Sequence, residues 1–105
     1  MAMRIFQRGG ARLDGFNASY PFATLKGDQN KLTLTCMGRE YIFARRHIRK
    51  LSIYNGLVSV GLRIEHRIPD YPSFVVFWVS IFPWKAKITE LKRKLQQLGY
   101  AVANS

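Results

Sequence analysis

Between Tyr20 and Phe77 the apolar residues recur at every second position in short runs, and turn-forming residues separate the runs. A period of two is the signature of half-buried β-strands. Tyr20–Lys26 leads into the polar turn Gly27-Asp28-Gln29-Asn30. Lys31–Met37 then places Leu32, Leu34 and Cys36 on one face and Thr33 and Thr35 on the other. Gly38-Arg39 predicts a tight reversal into Glu40–Arg45, where Tyr41 and Phe43 share a face. His47–Tyr54 is followed by Asn55-Gly56, the strongest hairpin dipeptide in the chain. Leu57–Arg67 alternates again, with Val58, Val60, Leu62, Ile64 and His66 on the side of the core. Pro69-Asp70-Tyr71-Pro72 breaks the pattern. Phe74–Ile81 is apolar on both faces, as a strand covered on both sides should be.

The period changes at Pro83. Trp84, Ile88, Leu91, Leu95 and Leu98 fall within an arc of roughly 80° at helical spacing, one narrow stripe. Pro83 suits a helix start and Gly99 the position after its end. The expected fold is therefore mainly β: six to seven antiparallel strands in a strongly bent sheet or barrel, capped by one C-terminal helix over about residues 83–99. Residues 1–18 carry Arg4, Arg8 and Arg12 among Gly9, Gly10 and Gly15, with few apolar anchors. They are expected to form a loosely held basic arm with a short edge strand around Arg4–Gln7. The barrel and helix then occupy residues 19–105.

This order of elements resembles the pleckstrin-homology-like superfold, in particular small bacterial domains of that kind. The residues that carry the resemblance are the turn Gly27–Asn30 and the reversal Gly38–Tyr41, followed by the meander through Asn55-Gly56. Phe74-Val-Val-Phe-Trp78 then leads into the closing helix. The likeness spans about residues 19–102 and is one of topology and pattern. It implies a binding scaffold without catalytic machinery, and it transfers no ligand. In that family, lipid-binding members place basic residues around the loop joining their first two strands; here that region offers Lys26 and Lys31, together with Asp28.

At 105 residues the chain is one domain's worth of sequence, and 48% hydrophobic residues suffice for a core without staples. One cysteine, Cys36, leaves no intramolecular disulfide and no cysteine-rich zinc site, and reads as a small core residue. No phosphate-binding glycine loop, dinucleotide fingerprint, zincin helix or nucleophile elbow is present. The six carboxylates are scattered, so neither catalysis nor a cofactor is expected. Met1–Gly10 develops no apolar stretch of the secretory kind, and the run Phe74–Trp84 is too short to span a bilayer as a helix. A cytoplasmic setting is the expectation.

Charge is what departs from the ordinary: 17 Lys plus Arg face 6 Asp plus Glu, a net +11. The densest cluster is Arg45-Arg46-His47-Ile48-Arg49-Lys50, at a strand junction. Arg45, Arg46, Arg49 and Lys50 read either as a patch for an anionic partner or as a solvated edge that discourages aggregation. Lys85 and Lys92 flank the helix stripe and extend the patch, unless they merely snorkel from a solvated face. His66, Arg67 and Tyr71 are candidate contacts at the barrel mouth; the alternative for His66 is a hydrogen-bonded, partly buried ring. Phe22, Phe43, Phe74, Phe77 and Trp84 are expected to fill the barrel, while Tyr41, Tyr54 and Tyr71 could stack on a ligand if they face outward. Three functions follow. The first is a non-catalytic module docking on an acidic protein or an anionic membrane surface. The second is a nucleic-acid-binding accessory protein using the basic arm and a barrel face. The third is a homo-oligomer formed through an edge strand.

Overall fold

The computed structural model describes residues 3–56, 59–79 and 84–104, the side chains of 84–86 apart. The strands are β1 (Ile5–Leu13), β2 (Phe16–Gly27), β3 (Lys31–Cys36), β4 (Arg39–Ala44), β5 (Ile48–Asn55), β6 (Val60–His66), β7 (Val75–Trp78) and β8 (Val102–Ala103). A 3-10 turn, Arg45–His47, joins β4 to β5, and helix α1 covers Trp84–Gln97. Among the described residues these eight strands form one sheet in the order β4-β3-β2-β1-β7-β6-β5-β8, antiparallel throughout except for the parallel pair β5–β8. The sheet curls into a half-barrel, and α1 lays its stripe against the concave side: Ile88, Leu91, Leu95 and Leu98 are buried with Leu34, Phe43, Leu62, Ile64 and Phe77.

The alternation of β3 holds, with Leu32, Leu34 and Cys36 buried and Thr33 and Thr35 half-buried on the outer face. In β7, Val75, Val76 and Phe77 are all buried, as a strand covered on both sides requires. The outer cover is a small cluster in which Tyr54 meets Phe74 and Trp78 edge-on or tilted, with Arg12 and Arg63 over the Phe74 ring.

The helix ends as expected. Gly99 adopts φ +93, a conformation other residues reach only at a cost, and the Tyr100 N–H reaches back to the Leu95 carbonyl while the Gly99 N–H reaches Gln96. Tyr100 is thereby folded against the core, and its hydroxyl donates to the Asp28 carbonyl at 2.8 Å. The proposed helix start at Pro83, and the apolar residues Leu57, Val58 and Ile81, lie outside the described residues.

Three expectations are corrected. The loose arm with a short edge strand expected over residues 1–18 is not what the described part of it forms: Ile5–Leu13 is an interior strand, hydrogen-bonded to β2 on one side and β7 on the other. With β1 and the two-residue β8 added, the strands among the described residues number eight rather than six or seven. The turns also shift. The β3–β4 reversal is made by Met37 and Gly38, both at positive φ, one residue earlier than read, and after β5 the Gly56 N–H donates to Ser59 O.

Bulges account for much of the curl. Gly9 pairs with Ala23 and Ala11 with Ala18, so residues 19–22 of β2 face a single residue of β1. A second irregularity falls at Arg49, between the pairs Ile48–His66 and Lys50–Glu65. Extra residues on one strand bend it and increase its twist.

Candidate functional site

The side chains of the basic cluster part company. Arg45, though exposed, reaches across to the helix terminus. Its Nη1 donates to Gln29 O at 3.0 Å and Leu98 O at 3.2 Å, its Nη2 donates to Gly99 O, and the guanidinium carbon stands 4.6 Å from the centre of the Tyr100 ring. A cation suits the carbonyl-rich end of a helix. Arg46 is exposed on the 3-10 turn. Arg49 and Lys50 line a hollow of about 180 Å³ together with Arg45 and Tyr100. Lys92 donates to Asn104, beyond β8. The Lys85 side chain lies outside the described residues. Of the six candidates, three therefore meet at one hollow, and one of those three is engaged in holding the fold.

His66, Arg67 and Tyr71 belong to the segment 67–74 and its root, which crosses the open side of the half-barrel next to β4. The His66 Nδ1 accepts the Ile68 N–H at 3.0 Å, so its Nε2 carries the proton and donates to Pro72 O at 2.7 Å. Tyr71 packs edge-on to Tyr41 and Phe43, and its hydroxyl accepts the Ile42 N–H of edge strand β4 at 3.1 Å. Arg67 is exposed, with its own N–H donated to His47 O. Both histidine nitrogens are thus engaged, the bland alternative for that residue. The tyrosines expected to stack on a ligand are half-buried instead, Tyr41 and Tyr71 against each other and Tyr54 against Phe74 and Trp78.

The carboxylates shape turns. Asp14 Oδ1 accepts from the Phe74 N–H and the Ser73 hydroxyl, tying the β1–β2 turn to the start of β7. Asp28 Oδ1 accepts from the N–H groups of Asn30 and Lys31. The Asn30 bond is the main reason the Asp28 carboxyl is held below its usual value. A lowered folded-state pKa stabilises the protein above the unfolded value near 4, and that contribution fades as pH falls through the folded one. Urea melts between pH 6 and 2 should therefore show wild type losing stability relative to Asp28→Asn as the pH drops. Glu90 is paired with Lys94 at 3.0 Å. Cys36 is buried, and burial pushes its thiol pKa up, the opposite of a nucleophile's need. Among the described residues no three His, Cys, Asp or Glu gather as metal ligands, and no helix is long and apolar enough to cross a membrane.

Sequence reasoning missed the outer face of β1–β4. The strand register sets out its rows. Phe6, Lys26, Thr33 and Ile42 lie side by side on β1, β2, β3 and β4; Arg8, Thr24, Thr35 and Glu40 form the next row. Phe6 is 58% and Ile42 41% exposed. At the other end of the same strands four more large apolar side chains stand out: Phe16, Tyr20, Phe22 and Met37. Phe22, expected in the barrel, is 58% exposed, because the β2 bulge carries it outward beside Met37, whose N–H donates to Phe22 O. Phe16 and Met37 border a hollow of about 420 Å³ floored by Leu13 and Cys36, with Arg39 and Tyr41 at its side. The outward threonines of β3 were the available signal; assigning the phenylalanines needed the register.

Comparison with protein-family models and with curated proteins finds no match.

Proposed function

We propose that this protein is a non-catalytic docking module for an anionic membrane surface, engaged through the ends of its first two hairpins. The observation that carries the reading is the grouping of Phe16, Tyr20, Phe22 and Met37, all at least 46% exposed, at one end of a chain of net charge +11. Exposed apolar clusters mark interaction surfaces. Aromatic and thioether side chains at hairpin tips can enter the headgroup region, while Arg8 and Arg39 remain at the level of lipid phosphates. Weak apolar insertion and electrostatic attraction are each marginal alone and effective together.

The likeness to pleckstrin-homology-like domains supports a binding scaffold, although the basic patch of that reading moves: with Arg45 engaged at the helix terminus, Arg46, Arg49 and Lys50 become auxiliary. An acidic protein partner remains the variant of this reading in which insertion is absent. A nucleic-acid partner is favoured by one separate observation, the exposed Phe6 ring among Arg4, Arg8 and Lys26. Homo-oligomerisation through an edge has less support. On β4 the Ile42 N–H is already bonded to Tyr71, and β8 pairs with β5 at Leu51 and Ser52.

Flotation with phosphatidylcholine vesicles, with and without phosphatidylserine, tests the reading. The protein should float with the anionic vesicles alone, and Phe22→Ser combined with Met37→Ser should weaken this by about tenfold or more without lowering Tm, both side chains being exposed. Binding unchanged by the double substitution would remove the insertion and leave only a charge contact. No flotation at physiological salt would remove the membrane reading.

A further inference from the structure

We propose that the groove at the opposite end of the β1–β4 face is a binding site for a nucleotide unit, a phosphate ester carrying an aromatic base. The groove has a volume of about 560 Å³, within the range of small-molecule sites. It goes beyond the docking reading, because its central row lies about 13 Å from Met37 along β3.

The register lays out its chemistry. Arg4 and Lys31 flank the β2–β3 turn at the groove's end, and one row further in come Phe6, Lys26, Thr33 and Ile42. Rows two residues apart are separated by about 7 Å. That spacing is comparable with the reach from phosphate to base within one nucleotide. Lys26 Nζ stands 5.9 Å from the centre of the Phe6 ring, so cation and ring present one combined surface. The Asp28 carboxylate at the groove's end is turned to the backbone N–H groups of Asn30 and Lys31. Asp28 keeps its charge and faces Arg4 and Lys31, so the three cations of the groove exceed its two carboxylates, Asp28 and Glu40, by one, and Lys26 beside Phe6 is the cation nearest the ring.

A plain anion would need none of the apolar lining. Phe6 offers a flat face for stacking, and Ile42 borders the far side across Thr33. The Thr33 hydroxyl and the Glu40 carboxylate supply partners for a base edge, the latter an acceptor for an exocyclic amino group. The arrangement pairs a stacking platform with phosphate-facing cations, the combination by which proteins hold unpaired nucleotides. The unit can come from a free nucleotide or from a single strand, and both present the same chemistry to these residues.

Calorimetric titration with ATP, inorganic triphosphate and a single-stranded oligodeoxyadenosine tests the assignment on wild type, Phe6→Ala, Lys26→Glu and, as a control on the exposed helix face, Lys87→Glu. ATP or the oligonucleotide should bind, and triphosphate should bind about tenfold more weakly than the better of them. Phe6→Ala and Lys26→Glu should each lose about tenfold while Lys87→Glu is unchanged. Tighter binding of the oligonucleotide identifies a strand as the source; binding of ATP alone identifies a free nucleotide. Equal binding of triphosphate, full affinity in Phe6→Ala, or no binding of either nucleotide probe would overturn the proposal. Phe6→Ala should float with anionic vesicles as wild type does, so a failure here is distinguishable from a failure of the docking reading.

Discussion

Gly9→Ala is expected to destabilise the protein by about 3 kcal/mol, a fall of more than about 12 °C in Tm for a chain of this size. A methyl group at Gly9 would overlap the carbonyl oxygen of Trp78 on β7 and lie 2.9 Å from Phe77 Cζ in the core. A backbone oxygen cannot swing aside as a side chain can. To admit the methyl group, β1 and β7 must separate where Gly10 pairs with Trp78 and Ala11 with Phe77. Gly10→Ala should act in the same direction, since its added carbon would meet Ala18 O at 2.5 Å on the β2 side. The control is Gly15→Ala, where nothing lies within 4 Å of the added carbon, and a change within about 0.5 kcal/mol is expected there. Thermal and urea unfolding of the three variants decide the matter. A Gly9→Ala protein as stable as wild type would mean that residues 5–13 are not clamped between β2 and β7.

The same glycines show where reading the chain by pattern succeeds and where it stops. Leu32, Leu34 and Cys36 alternate with threonines, and the helix stripe ends in a glycine; each signal is local, and each is found in the fold. In β1 the local signal is inverted. Glycine beside arginine resembles a solvated arm, yet Gly9 and Gly10 lack side chains because neighbouring strands approach too closely to admit one. That requirement belongs to β2 and β7, the latter more than 60 residues further along, and leaves no periodic trace in β1 itself. The outer face was hidden for a related reason. Phe6 and Ile42 become members of one row only when four strands are placed in register, and Phe22 moves from the core to the surface because of a bulge. Side-chain chemistry was visible at each position; which positions share a surface was not.

Replacing Arg45 by Met should cost about 2–3 kcal/mol, whereas Arg46→Met should stay within about 0.5 kcal/mol, although the two residues are adjacent and equally charged. The difference lies in what each guanidinium meets. Arg45 bonds carbonyls from the β2–β3 turn and from Leu98 and Gly99, the two residues that follow the helix, and covers the Tyr100 ring. Its own N–H donates to Asn30 O, so backbone and side chain hold the same turn. Met keeps the apolar stem and removes the fork, leaving the Leu98 and Gly99 carbonyls to water or to no partner. Lys keeps the charge but cannot span three acceptors, so Arg45→Lys should recover less than half of the loss. Hydrogen exchange should show the lost protection first at the helix C-terminus and at β8, whose parallel pairing with Leu51 and Ser52 depends on where Tyr100 is held. Uniform loss across the sheet would instead mean that Arg45 contributes no local clamp. The outcome also governs how any charge reversal of Arg45, Arg46, Arg49 and Lys50 together is interpreted. If Arg45→Met lowers Tm while the folded fraction still binds anionic vesicles normally, a binding defect in the fourfold variant reports an undone helix terminus as much as a lost docking surface. Reversal of Arg46 and Arg49 alone is then the cleaner probe of charge.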